Sequence, residues 1–276
     1  MAEPEKVPPV SYQQPGAQPH YQPTAQYQQP VAGGPPGQPQ FGAAAGMQWM
    51  PPVQQAPVGC PRGLEYLTQL DQLIVKQQIE LLEVFTGWET NNKYRILNSV
   101  GQDVYFAVED NDCCNRQCCG PARSFNMKVL DNYQQEIISL WRPLKCQACC
   151  CWCCLQEMEI RSGGEICGYV EQKWSLWDYK FDLMDAQRNT VLKIRGPCCV
   201  IPCCVDVNFQ LLALDETTQV GEIIRQFTGC GQECWTDASN FSITFPMDLD
   251  VKMKAVVFGA TMLLDFMFFE HQNNNN

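Results

Sequence analysis

The sequence has very few histidines. His20 and His271 are the only two in 276 residues. Catalysis of the Cys-His or Ser-His type needs an imidazole beside the nucleophile, so this chemistry is excluded. A GxxxxGK[ST] phosphate-binding loop is also absent, which leaves ATP-driven transport without support. We therefore expect a protein that is not an enzyme.

Basic residues are scarce as well. The chain has 19 Lys and Arg against 30 Asp and Glu, a formal net charge of -11, and its basic residues never stand side by side in a run. An acidic chain repels the phosphates of a nucleic-acid backbone. Nucleic-acid binding is therefore not expected.

Residues 1–59 have almost no charge and few β-branched aliphatic residues. They hold three charged residues, 13 of the 19 prolines and 12 glutamines. Such a composition cannot bury a core, so it predicts a disordered proline/glutamine-rich arm before a single domain at residues 60–276. The arm contains one PxxP motif, at residues 36–39, which is equally consistent with binding SH3 or WW domains and with an inert linker.

The start of the sequence lacks the charged and then apolar pattern of a signal peptide, so we expect the chain in the reducing cytosol. All 18 cysteines lie in residues 60–276, many in adjacent pairs with poor disulfide geometry. The densest group predicts reversible palmitoylation, because two or more acyl chains give stable membrane attachment. A thiolate-bound metal or Fe–S cluster and buried inert thiols remain alternatives. The palmitoylation candidates are Cys149, Cys150, Cys151, Cys153 and Cys154.

Hydrophobic residues alternate with period two through most of residues 93–245, which predicts strands. Residues 93–97 and 103–108 flank a Gly-containing turn and form a hairpin. A weak repeat predicts three more hairpins, at residues 125–138, 181–194 and 209–223, each with Phe before a turn Asp. Many short hairpins favour a β barrel or sandwich.

Residues 255–269 are apolar apart from Asp265 and follow Lys252 and Lys254. This pattern predicts a helix of about 22 Å, shorter than the roughly 30 Å hydrocarbon core of a bilayer. Two placements stay open: the core of a β barrel, or a membrane span with residues 271–276 outside the cell. Lys254 and Asp265 are the polar positions of this candidate membrane helix.

Two motifs resemble the phospholipid scramblases: CCCWCCLQEMEI at residues 149–160 and FPMDLDVKMKA at residues 245–255. The resemblance covers residues 60–270. It implies a tubby-like fold, a closed β barrel around the apolar C-terminal helix. It also implies calcium-activated, ATP-independent, bidirectional movement of phospholipids at the cytoplasmic side of the plasma membrane.

The resemblance also implies a calcium segment at residues 237–248. Against an EF-hand loop the segment lacks the central Gly and the final Glu, so any calcium affinity is weak, on the order of 10⁻⁴ to 10⁻³ M. A turn followed by a strand is the competing interpretation. The candidate ligand positions are Asp237, Ser239, Phe241, Ile243, Phe245 and Asp248.

An alternative function is a palmitoylated interaction protein at the inner leaflet, which recruits SH3 or WW domain proteins. Binding of lipid headgroups would then require basic residues that folding brings together. Scrambling by one short helix would instead require a homo-oligomer or a thinned bilayer. The basic candidates are Lys128, Lys145, Lys173, Lys180 and Arg195.

Overall fold

The computed structural model of the chain describes residues 48–53, 57–78, 92–110, 124–145, 154–198, 200, 205–227 and 240–269. All of them belong to one compact unit, Pro39–Asn276. Within the described residues a short 3-10 helix, Glu65–Gln69, precedes the first strand, and a single α-helix follows the last.

Twelve antiparallel strands close into a barrel in which each strand pairs with the next along the chain and β12 returns to β1. The strands are β1 (Gln72–Gln77), β2 (Lys93–Leu97), β3 (Asp103–Asp110), β4 (Phe125–Leu130), β5 (Glu136–Arg142), β6 (Glu157–Ser162), β7 (Glu165–Lys173), β8 (Lys180–Asp185), β9 (Thr190–Arg195), β10 (Val207–Leu212), β11 (Gln219–Arg225) and β12 (Asn240–Thr244). The mainly β class and the closed barrel are thus confirmed, and so are the four predicted hairpins.

Three of the hairpin turns have the same hydrogen-bond pattern. Asn98, Asp131 and Asp185 each accept backbone N–H groups two and four residues later through a side-chain oxygen. The residue three positions after each of them has a positive φ, and the strand register shifts beside the turn. A short polar side chain that bonds its own turn explains why Asp and Asn mark these hairpins in the sequence.

Helix α1 (Val251–Phe268) is buried around its whole circumference from Met253 to Phe266. It begins at residue 251 because the Asp250 side chain accepts the N–H groups of Lys252 and Met253. Its aromatic residues pack on the strands, as where Phe266 stacks on Phe125 of β4 at 4.1 Å between ring centroids. The enclosed placement of the helix is therefore the one observed.

The segment at residues 48–50 contacts the outside of the barrel. Trp49 forms a parallel bridge with Asp103, and its ring packs edge-on against Phe106 with centroids 5.1 Å apart. Met50 donates its N–H to the Asp103 carbonyl at 2.9 Å. This cover helps to bury β3 at Asp103 and Phe106.

Candidate functional site

Lys254 lies in the first turn of α1 and is completely buried. Its Nζ donates to the carbonyl oxygens of Leu67, Leu70 and Met247 at 2.9, 2.7 and 2.8 Å. Burial lowers the pKa of Lys254, and the carboxylates of Asp71 and Asp248 oppose that shift. The ammonium therefore fastens the helix to the 3-10 helix and to the turn before α1.

Asp265 lies near the other end of α1 and is also buried, with 2% of its surface exposed. Its Oδ2 accepts a hydrogen bond from the Tyr94 hydroxyl of β2 at 2.6 Å. Both polar positions of the candidate membrane helix thus contact the protein interior. None of the helices in the described part of the chain combines the length and the apolar character that a membrane span requires.

The structure describes four of the six candidate calcium positions, since Asp237 and Ser239 lie outside the described residues. The side chains of Phe241, Ile243 and Phe245 are buried in the barrel core and carry no oxygen. The segment from Phe241 to Thr244 is extended, at about 3.3 Å per residue, so it does not wrap around a cation. Only Asp248, exposed before α1, offers a carboxylate, and the described residues do not form a calcium loop. Calcium binding at this segment stays a prediction.

Of the five palmitoylation candidates only Cys154, which is partly buried, lies in the described residues. Palmitoylation stays a prediction. Within the described part of the chain, no group of three or more His, Cys, Asp or Glu side chains is placed to hold a metal ion.

Cys167 of β7 lies outside the group of palmitoylation candidates and is a buried thiol. It is 2% exposed, and burial raises the pKa of its thiol from 9.0 to about 11. Because the folded pKa lies above the unfolded one, the thiol contributes stability below pH 9 that is lost as the pH rises through 11.

The unfolding free energy of the wild type should fall by about 2 kcal/mol between these two pH values because of this thiol, and we expect Cys167→Ala to abolish that part of the fall. Urea titrations under reducing conditions at several pH values measure the slope, and Cys198→Ala, at an exposed position, is the matched control. Parallel curves for the wild type and Cys167→Ala would contradict the assignment.

The loop between β7 and β8 exposes large apolar side chains. Trp174, Leu176 and Trp177 have 58%, 69% and 78% of their surface exposed. Together with Tyr179 and the C-terminal end of α1, they line an open cavity of about 590 Å³. Cys154 and Cys198 also line this cavity, and so do the polar side chains of Gln156, Gln172, Lys173, Ser175 and Asp178. We call it the apolar cavity after the exposed apolar side chains at its rim.

Successive strands alternate in direction, so the long connections after β5, β7 and β9 leave the same edge of the barrel. The exposed tryptophans of the described residues, Trp141, Trp174 and Trp177, are at or near this edge. Exposed apolar patches mark sites of interaction, and Trp favours the interface between lipid and water. This edge is the part of the described surface best suited to contact lipid.

A basic cluster adjoins the apolar cavity. Lys173 pairs with Lys180 across β7 and β8, and Lys180 pairs with Arg195 across β8 and β9. Lys193 and Glu216 complete the cluster, which together with Asp182 lines a second cavity of about 140 Å³. Lys173 lines both cavities.

Folding thus brings together three of the five basic candidates. Lys128 is instead paired with Asp110 at 2.6 Å, and Lys145 with Glu157 at 3.2 Å. Lys193 and Glu216 of the cluster were not predicted from the sequence. The exposed run of residues 174–177 was not predicted either, although three large apolar side chains in a short connection between two strands are a signal for it.

Comparisons with known proteins agree with this description. A model of the Scramblase family matches residues 50–271. Phospholipid scramblase 1 of Homo sapiens is 58% identical over 228 residues, which cover 82% of this chain and 71% of that protein. Phospholipid scramblase 2 of Bos taurus is 54% identical over 243 residues, with 88% and 80% covered. Phospholipid scramblase 4 of Homo sapiens is 40% identical over 265 residues, with 94% and 79% covered.

No solved structure matches the chain. The family match spans most of the sequence, including the barrel, helix α1 and the edge that carries the apolar cavity. The chain therefore belongs to the phospholipid scramblase family.

Proposed function

We propose that this protein moves phospholipids between the two leaflets of a membrane, in both directions, without ATP and without covalent chemistry. Membership of a family whose relatives are named phospholipid scramblases supports the proposal. The observation that carries it is the apolar cavity, which opens at an edge with exposed Trp174, Leu176 and Trp177.

The barrier to lipid movement is the passage of a polar headgroup through hydrocarbon, where no water solvates it. A protein lowers that barrier when it offers polar groups beside an apolar surface at the depth of the lipid. The apolar cavity and the basic cluster provide such neighbouring surfaces. The indole rings suit the boundary between acyl chains and headgroups, where they hold the edge at the bilayer.

Attachment to the cytoplasmic side of the plasma membrane is part of the proposal. Acylation at Cys149, Cys150, Cys151, Cys153 and Cys154 would bring the edge with the apolar cavity to the lipid, because Cys154 lines that cavity. Two acyl chains give stable attachment where one gives only reversible binding. Assembly into a homo-oligomer and capture of SH3 or WW domain proteins by the arm belong to the same proposal.

Calcium activation is proposed from the family resemblance alone. Asp248 is the one candidate ligand with a described carboxylate, and it is exposed. Asp248→Asn removes one ligand charge, so we expect the calcium concentration for half-maximal scrambling to rise about tenfold. Asp110→Asn, which neutralises an exposed carboxylate on β3, is the control and should leave it unchanged.

The measurement is lipid scrambling in proteoliposomes that contain the full-length, acylated protein, with and without millimolar calcium. Scrambling without nucleotide supports the proposed function. Equal calcium responses of Asp248→Asn and the wild type would contradict the calcium site. Absence of scrambling from folded, acylated protein would overturn the translocator and favour the interaction protein at the inner leaflet.

A further inference from the structure

The centre of the basic cluster is a single carboxylate that three cations share. The Glu216 carboxylate lies 2.5 Å from Lys193 Nζ, 3.4 Å from Arg195 Nη2 and 3.9 Å from Lys180 Nζ. The hydrogen bond from Lys193 holds the pKa of Glu216 below its usual value. Glu216 therefore occupies the position that an anionic ligand of these three side chains would take.

The wall of the second cavity is basic, and the carboxylates just outside the cavity balance its charge. Four cations and two carboxylates line the second cavity, in a chain whose net charge is -11. Lys173 lies 2.9 Å from Glu171 and 3.6 Å from Asp182, and Arg195 lies 3.4 Å from Asp178. Glu216 is the carboxylate among these four that three of the cations share. Convergent ammonium and guanidinium groups are the donors that proteins use to bind phosphate oxygens.

The position of Glu216 allows its side chain to move away from the three cations. It stands in the turn between β10 and β11, where its backbone has a φ of 58°, and its side chain is 40% exposed. Exposed ion pairs contribute little to stability, so a phosphate can exchange with this carboxylate at small cost.

The neighbouring cavity indicates what the phosphate is attached to. Lys173 lines both cavities, so a molecule with its phosphate at the basic cluster can extend an apolar part over Trp174 and Leu176. A polar anionic group joined to apolar chains is the chemistry of a phospholipid. A cavity of about 590 Å³ has the size of the pockets that hold small organic ligands.

We propose that the basic cluster binds the phosphate of an anionic phospholipid whose acyl chains enter the apolar cavity, and that Glu216 closes the cluster until the phosphate replaces it. This inference rests on the proposed function, since it locates the lipid that the protein moves. It adds a competing group of the protein itself at the lipid site.

Calorimetric titration of the full-length protein tests the site with four soluble probes. These are dihexanoylphosphatidylserine, dihexanoylphosphatidylcholine, glycerophosphoserine without chains, and inorganic phosphate. We expect the phosphatidylserine probe to bind at least about tenfold more tightly than the other three, because only it combines chains with net negative charge.

The variants separate the two parts of the site. Lys180→Gln/Arg195→Gln should weaken binding of the phosphatidylserine probe about tenfold, and Leu176→Glu should do the same by charging the apolar cavity. Glu216→Gln should strengthen it about tenfold, because the competing carboxylate is gone. Lys76→Gln and Val100→Glu, at exposed positions that line neither cavity, are the matched controls.

Glu216→Gln distinguishes a gated lipid site from a surface ion-pair network. A gated site predicts tighter binding of the phosphatidylserine probe, and an ion-pair network predicts no gain. If this variant binds no more tightly than the wild type, the gating role is overturned. Equal binding of phosphate, glycerophosphoserine and lipid, or no effect of Leu176→Glu, overturns the lipid assignment. No binding of any probe overturns both.

Scrambling measured on the same variants keeps the inference apart from the proposed function. A wild type that scrambles while Lys180→Gln/Arg195→Gln binds lipid normally would refute the inference and leave the function standing. A wild type that does not scramble, but whose variants bind lipid as expected, would refute the function and support the site.

Discussion

Replacing Lys254 with alanine is expected to destabilise the barrel by about 3 to 5 kcal/mol. The Lys254 ammonium is fully buried and donates to three carbonyl groups from two segments outside α1. Alanine leaves these carbonyl oxygens without their donor. The helix then loses its attachment to the 3-10 helix and to the turn at Met247.

Denaturation in urea, followed by circular dichroism, measures the change as a shift of the midpoint at constant slope. Lys252→Ala is the matched control. Lys252 lies two positions before Lys254 in the same helix, and its side chain forms a surface ion pair with Glu165 at 3.3 Å. We expect it to cost less than about 1 kcal/mol. Lys254→Met, which keeps the length of the side chain, should resemble Lys254→Ala if hydrogen bonding is the cause. Equal stability of the Lys254 and Lys252 variants would contradict this role.

The hairpins were predictable from the sequence because their signals are local. Alternating apolar residues specify the face of each strand, and a short polar side chain such as Asp131 or Asp185 stabilises the turn between two strands. Neither signal depends on the rest of the fold. The same locality explains why the period-two pattern alone left a barrel and a sandwich open, since the pairing of β1 with β12 joins distant parts of the chain.

The position of α1 was not predictable from its composition. A bilayer and the interior of a barrel both favour a helix that is apolar on every side, so the pattern of residues 255–269 fits either. Lys254 and Asp265 have polar partners only because the folded chain places Leu67 and Tyr94 beside them.

The lipid site was predictable only in part. Lys173, Lys180 and Arg195 were candidates, but their convergence depends on strand register, which the sequence does not reveal. Glu216 was missed because it follows the hairpin aspartate and looks like a solvated turn residue. The exposed Trp174 and Trp177 were visible in the sequence, but a pattern cannot distinguish an exposed apolar side chain from a core one.

At Gly168 of β7 the barrel wall leaves no room for a side chain, and Gly168→Ala is expected to cost about 3 kcal/mol or more. A Cβ at this position would lie 2.1 Å from the carbonyl oxygen of Met184 and 2.8 Å from Val256 Cγ2 of α1. The backbone of β8 cannot move away without breaking the β7–β8 ladder. The added methyl group would therefore overlap the backbone of β8 and the Val256 side chain of α1 at the same time.

Gly101→Ala separates this packing effect from the general cost of replacing glycine. Gly101 has a φ of 83° and open space where a Cβ would lie, so alanine there should cost only about 1 to 2 kcal/mol of backbone strain. Urea unfolding measures both variants. If Gly168→Ala is no less stable than Gly101→Ala, α1 shifts freely against β7 and the helix is not held rigidly by its barrel. The larger loss instead means that a missing side chain in β7 is what allows an apolar helix to fit inside twelve strands.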